Sequence, residues 1–515
     1  MAEQKRLPFN NLWNRLLRFG EASLNFIFYP AQSKVALVFL IAFLLLMFVW
    51  GVRRWGVFYS WGNISFDFLD WAEVTGPRYA LLRDAAEKGV LPLHAGNLTA
   101  LRGVTDRYFS IADTPFSPQY LLLPFMETGQ YLFFDTLLLF TIGFIGLLIF
   151  FRKYRLSLFT FSLLFLLFNF NGNVISHLAV GHSIWTAHFL LPFFVLLVLH
   201  LVERENAGWK WVLGMVLLLL AILLQGYFHL WFWCLMFLAM LPLMNWRLWK
   251  PVFFAGLFSG LVGLPRLLPP SLALSGITQE YLGGFASATD LIDGLIALRD
   301  PYRALQPITD TFRLNYWEVD FYIGLMGFLL LLVFGVVVPL LRNRARNSVQ
   351  VQLLVPSAVL VFFSIGDVFA RVISILRVPP FTGERVPARM LELPLMVILF
   401  LAILFLQREL DRRKLAPLTQ ILALVLAYLT FHDLNQHMEA WRIRYLDSMV
   451  ALFPKVPFDP AQHTLLNHAD PIYTNMLLGG LAVSLLALGF LVFFAFVRRE
   501  RTLRSGAPVK DALRE

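Results

Sequence analysis

The feature that most limits what this chain can fold into is its series of long apolar runs separated by short basic loops. Val35 to Trp50, Leu137 to Phe151 and Leu477 to Phe496 are nearly uncharged over lengths suited to a bilayer core of about 30 Å. In hydrocarbon every backbone N–H and C=O must bond inside the protein, so runs of this kind fold as helices. The 515 residues are 58% hydrophobic and only 15% charged, which sets the chain apart from soluble domains. The expected fold is therefore all-α, a polytopic transmembrane helix bundle of about 12 spans.

Those spans are read at about 34–52, 132–151, 157–171, 184–202, 210–226, 228–244, 251–268, 321–341, 350–366, 388–406, 416–432 and 476–497. Alternate loops carry the positive charge: Arg152, Lys153 and Arg155; Arg204 and Lys210; Arg247 and Lys250; Arg342, Arg344 and Arg346; Arg408, Arg412, Arg413 and Lys414. A loop pattern of this kind orients the protein, with both termini in the cytoplasm. It also accounts for the formal net charge of +10 without a nucleic-acid-binding face, and no nucleic-acid partner is expected. Residues 1–33 read as a cytoplasmic amphipathic segment with Leu12, Trp13, Leu16, Leu17 and Phe19 on one side. The span domain covers 34–497, and 498–515 form a basic tail. A single cysteine, Cys234, leaves no disulfide and no cysteine metal site to consider.

The other set of loops is long and holds the chemistry-bearing residues. The first, 53–131, opens with an acidic cluster, Asp67, Asp70 and Glu73, followed later by Asp106 and Asp113. Pro77 and Gly89 bracket one interfacial helix in it, and Ser117-Pro118 starts a second that closes near Gly129. A further amphipathic stretch is read from Leu434 to Phe453. Polar groups recur at the same side of the bilayer: Asn169, Asn171 and Asn173 with His177 and His182, then Gln225 to His229, then Arg377 with Glu384, Arg385 and Arg389. A carboxylate there can serve as general base on an acceptor hydroxyl, while arginines neutralise a phosphate. Together these suit transfer from a lipid phosphate whose head group lies at the interface.

In sequence order, several of these pieces resemble the YfhO-like bacterial membrane proteins. The matching pieces are Asp70 through Pro77, Leu81-Leu82-Arg83, Gly89-Val90-Leu91-Pro92-Leu93, Ser117-Pro118, Gly181-His182, Leu191-Pro192, Leu224-Gln225-Gly226, Leu267-Leu268-Pro269 and Arg385-Val386-Pro387-Ala388-Arg389. Where that family usually carries Trp-Asn-Pro, this chain has His94-Ala95-Gly96, and Val74 stands where a Gln is usual. The resemblance covers about residues 60–400. It implies the C-type glycosyltransferase (GT-C) superfold, whose members take a sugar from a polyprenyl-phosphate donor and carry an acidic residue in the first outer loop. By spacing to Pro77 the resemblance points to Asp70 as that residue, with Asp67 the close alternative. It matches Arg385 and Arg389 to the family's Arg-x-Pro-x-Arg element, and the donor phosphate-binding set read from the chain is these two with His182 or His229 beside them.

What the resemblance implies is an inverting glycosyltransferase of the bacterial cytoplasmic membrane, with membrane lipids around it. Its partners would be a polyprenyl-phosphate-linked sugar and a glycan, lipid or protein acceptor. A divalent metal, magnesium or manganese, could bridge Asp67, Asp70 and the phosphate. Two other readings stand beside it: a transporter or flippase for a lipid-linked glycan, and a non-catalytic subunit of a membrane assembly.

Overall fold

The structure, a computed structural model, describes residues 8–30, 33–205, 207–273, 281–299, 301, 314–342, 348–376, 383–444 and 455–497. Among the described residues it is all-α, with helices and short 3-10 turns and no strand beyond three isolated bridges. Nine described helices are long and apolar enough to cross a membrane, and three shorter apolar ones, Trp209–Leu224, Phe228–Met244 and Val349–Phe363, accompany them. Each of the twelve expected segments coincides with one of these helices. The protein is a helical, multi-pass membrane protein.

Local chemistry sets where the helices start. Ser33, Ser157, Asn171 and Ser348 each cap an N-terminus by accepting a backbone N–H of the first turn. Pro192, Pro417 and Pro471 sit in first turns, where their missing N–H costs nothing. Burial then sorts the helices. Pro387–Arg412 and Leu158–Val180 are 94% buried over their most apolar windows, against 11% for Lys34–Phe58. The first two form the centre and the last lies on the rim, exposing Val38, Phe39 and Leu46 as lipid-facing surface. Close packing uses small residues. A Cβ at Gly143 would come within 2.7 Å of the Phe189 carbonyl oxygen, so only glycine lets Thr128–Tyr154 press this near the Ser183–Arg204 span.

Two expectations shift. The helix bracketed by Pro77 and Gly89 runs Gly76–Glu87 as read, but the stretch after Ser117 is a 3-10 helix, Pro118–Phe125, interrupted by Pro124. The Leu434 stretch begins inside the long Pro417–Ala440 helix, because no breaker intervenes and Leu434, His437 and Met438 are all buried. The N-terminal segment is a helix, Pro8–Phe28, whose end stacks Phe28 on Phe159 with centroids 4.5 Å apart. Arg377, residues 445–453 of the Leu434 stretch, Arg344, Arg346 and the 498–515 tail lie outside the described residues.

Candidate functional site

The first long loop folds back over the helix ends, and a cavity of about 410 Å³ opens beneath it. Asp70, Glu73, Arg78, Arg102 and Asp113 come from the loop itself. Gly181 to Trp185, His229, Glu318, and Glu384, Arg385 and Arg389 close the other sides. Five of the six residues singled out from the sequence, Asp70, His182, His229, Arg385 and Arg389, thus line one space, although they span more than half the chain. Four arginines face five carboxylates there, so the space can meet both an anion and a proton-donating group.

The turn at Gly181 positions the pair Asp70 and His182. Gly181 ends the Gly172–Val180 helix in a left-handed conformation at φ +104°. A Cβ there would lie 2.5 Å from the Trp71 backbone nitrogen, so only glycine lets the two chains touch. Trp71 Nε1 donates to the Ala179 carbonyl at 2.8 Å and Thr75 Oγ1 to that of Gly181 at 2.5 Å. With the backbones tied, His182 Nε2 hydrogen-bonds Asp70 Oδ2. The residue before the carboxylate, Leu69, is itself held at φ +44°, an uncommon conformation for a non-glycine residue. Burial would raise the Asp70 carboxyl, but His182 and then Arg102 outweigh it and hold Asp70 below the usual carboxylate range. Asp70 is therefore ionised at neutral pH.

The remaining charges are largely matched. Arg389 grips Glu318 through two bonds, Nε to Oε2 at 2.6 Å and Nη2 to Oε1 at 2.5 Å. His177 Nε2 adds a contact to the same carboxylate at 3.3 Å, while its ring stacks on Trp185 at 4.1 Å. Arg389 also lies over the Trp185 ring, 5.0 Å from its centre. Burial opposes ionisation of Glu318, yet Arg389 and His177 hold it well below the ordinary range. Arg78 and Arg102 clasp Asp113, with Arg78 Nη2 3.1 Å from Oδ1, and their charges depress it in spite of burial. His229 Nδ1 and Trp233 Nε1 share Glu384 Oε2 at 2.9 and 3.1 Å.

Arg385 differs from Arg389. Burial, and after it the like charges of Arg102 and Arg389, lower its pKa. Its carbonyl accepts from Leu282 N–H at 3.0 Å, so the backbone that presents it is anchored. Arg102 faces the same space from a left-handed turn at φ +59°.

Asp67 is elsewhere. It lines a second cavity of about 900 Å³ with Arg83, Asp84, Glu87 and Glu127. Its Oδ1 accepts from Ser65 Oγ at 2.7 Å and Lys455 Nζ at 2.9 Å. The two carboxylates face different cavities with different partners, so they are not arranged to bridge one ion. Gln225 turns away into a buried network with Asp135, Gln119 and Thr186. Arg78, Arg102, Glu318 and Trp185 join the site without any motif to announce them. Glu73, Asp113 and Glu384 among the added lining residues stood out in the sequence, as polar residues of the long loops.

Set beside known proteins, the chain matches no family model, and no curated protein matches it.

Proposed function

We propose that this protein is a twelve-span membrane glycosyltransferase of the C-type kind, with both termini cytoplasmic and its cavity on the outer face of a bacterial cytoplasmic membrane. The single observation that carries the reading is the cavity itself. It joins a hydrogen-bonded carboxylate–imidazole pair, Asp70 and His182, to a crowd of guanidinium groups at Arg102, Arg385 and Arg389. The alternation of basic and polar loops supports the orientation.

In this reading the donor is a polyprenyl-phosphate sugar and the acceptor a hydroxyl of a glycan, lipid or protein. Asp70 Oδ2 is engaged by His182, which leaves Oδ1 to take the acceptor proton. The acceptor oxygen forms a bond to the anomeric carbon as the bond from that carbon to the phosphate oxygen breaks. The phosphate leaves with the electron pair, neutralised by Arg385 and Arg102, and the single displacement inverts configuration. Arg389, held by Glu318, and Arg102, held by Asp113, act through their charge and by shaping the wall. His182 serves the carboxylate, and His229, bonded to Glu384, stands farther round the wall.

Purified chain in nanodiscs, supplied with radiolabelled undecaprenyl-phosphate sugars and membrane acceptors, tests this directly. Transfer that disappears in Asp70→Asn and survives in Asp67→Asn supports the reading. Transfer unaffected by Asp70→Asn sinks the assignment of the base. A lipid-linked glycan carried across the bilayer unchanged, with no transfer, would make the protein a flippase instead.

A further inference from the structure

On the outer loops, away from the cavity, three side chains of metal-ligand type meet. Residues 94–107 of the first loop and 464–470, which lead into the Pro471–Val492 helix, lie edge to edge. Bridges pair His94 with Arg107 and Ala95 with Leu465. Asn467 Oδ1 accepts the N–H groups of Leu93 and His94 at 3.1 and 3.0 Å, and Leu466 N–H donates to the His94 carbonyl at 3.0 Å. This backbone register stacks the imidazoles of His94 and His468 with centroids 3.9 Å apart. His468 Nε2 lies 2.7 Å from Asp106 Oδ2. One ligand atom each from His94, Asp106 and His468 falls within 4.8 Å of the others, and no other such group occurs among the described residues.

His94 is the informative member. It is completely buried, and neither ring nitrogen has a hydrogen-bond partner. The nearest charge is Asp470 Oδ2, 3.6 Å from Nε2, and that oxygen already accepts from Arg107 Nε at 2.6 Å. A buried imidazole left without a partner is costly, and a native fold resolves the cost with a water or an ion. Its surroundings, a second imidazole and a carboxylate, select an ion. His468 and Asp106 are exposed enough to turn and close the remaining distance.

We propose that His94, Asp106 and His468 bind a zinc ion that fastens the first outer loop to the segment leading into the last long helix. Two imidazoles and one carboxylate suit zinc, which accepts nitrogen and oxygen ligands in tetrahedral geometry. Magnesium and calcium prefer oxygen alone. Three protein ligands leave a fourth position for water. The ion would close a loop running from residue 94 to residue 468, adding to the backbone bonds, the Asn467 contacts and the Arg107–Asp470 pair that already join these two parts of the outer surface. This site stands apart from Asp67 and Asp70, and it does not rest on the transferase reading.

The test uses tag-free, full-length chain in detergent, stripped with chelator and dialysed against micromolar zinc chloride. Bound metal is counted by mass spectrometry, and thermal unfolding is followed with and without zinc. The expected result is about one zinc ion per chain and a higher melting temperature, reversed by chelator. His468→Ala, at a half-exposed position, and Asp106→Asn should each weaken binding at least about tenfold, while His182→Ala keeps it. Because His94→Ala empties a buried site, the exposed variants decide the matter. Wild-type chain that retains no zinc overturns the proposal, as does equal zinc in His468→Ala. Zinc lost from His182→Ala but kept by His468→Ala overturns it too, by moving the metal to the cavity.

Discussion

Asp67 and Asp70 are three residues apart, both acidic and both flanked by aromatic rings, yet they belong to different parts of the molecule. Asp70 meets an imidazole and faces a cavity crowded with guanidinium groups. Asp67 meets a serine and a lysine on a more open surface. The divergence comes from the backbone between them, where Leu69 takes a left-handed turn at φ +44°. Composition brings carboxylates to the loop, but one unusual dihedral decides which of them has partners able to do chemistry.

The contrast breaks most sharply on activity. Asp70→Asn should cut transfer by about 10²–10⁴-fold, the usual worth of a general base. Asp67→Asn should stay within about twofold, since a surface substitution costs about 0.5 kcal/mol or less. Equal losses in both, measured as initial rates of label transfer, would erase the distinction. Next in size is Glu318→Gln, which leaves the buried Arg389 without its carboxylate. Breaking such a pair costs about 3–5 kcal/mol, readable as a large fall in melting temperature in detergent. Gly181→Ala should cost about 1–3 kcal/mol from the positive φ alone, and should lower transfer as His182 is pushed off Asp70. A variant that melts earlier with unchanged transfer would separate the turn from the chemistry.

Acid should act on the cavity more than on the second site. Asp70, Asp113 and Glu318 all have depressed folded-state pKa values. Their stabilisation is fully present above the unfolded values of about 4 and is lost as pH falls through the folded ones. Melting temperature should therefore hold from neutral pH down to about 4 and drop below it. Asp113→Asn should flatten that drop. Smallest of all is Lys455→Ala. The exposed pair with Asp67 is worth under about 1 kcal/mol, and its loss should shrink further in high salt.

Much of the architecture was legible because bilayers demand long apolar runs and leave few alternatives. The Gly76–Glu87 helix was legible from Pro77 and Gly89, whose roles are local. Asp70, His182, His229, Arg385 and Arg389 could be singled out one by one, since each follows or opens a span. Their meeting in one cavity could not be read, because it depends on contacts across 112 positions for Asp70 and His182. Glu318 and Arg102 carried no signal. Glu318 matters through Arg389, 71 positions away, and Arg102 through a left-handed turn that its residue type does not favour. His94 read only as a departure from a resembling motif, and its neighbour His468 lies near the other end of the chain.

The contact at Gly181 also sets how this protein can vary. With two backbones already touching, no side chain fits there unless residues 70–71 retreat, and then Asp70 and His182 part together. The glycine, the aspartate and the histidine thus form one packing unit rather than three independent positions. Any distant chain that keeps the pair must keep the glycine, which makes the trio a sharper marker for finding kin than either charged residue alone.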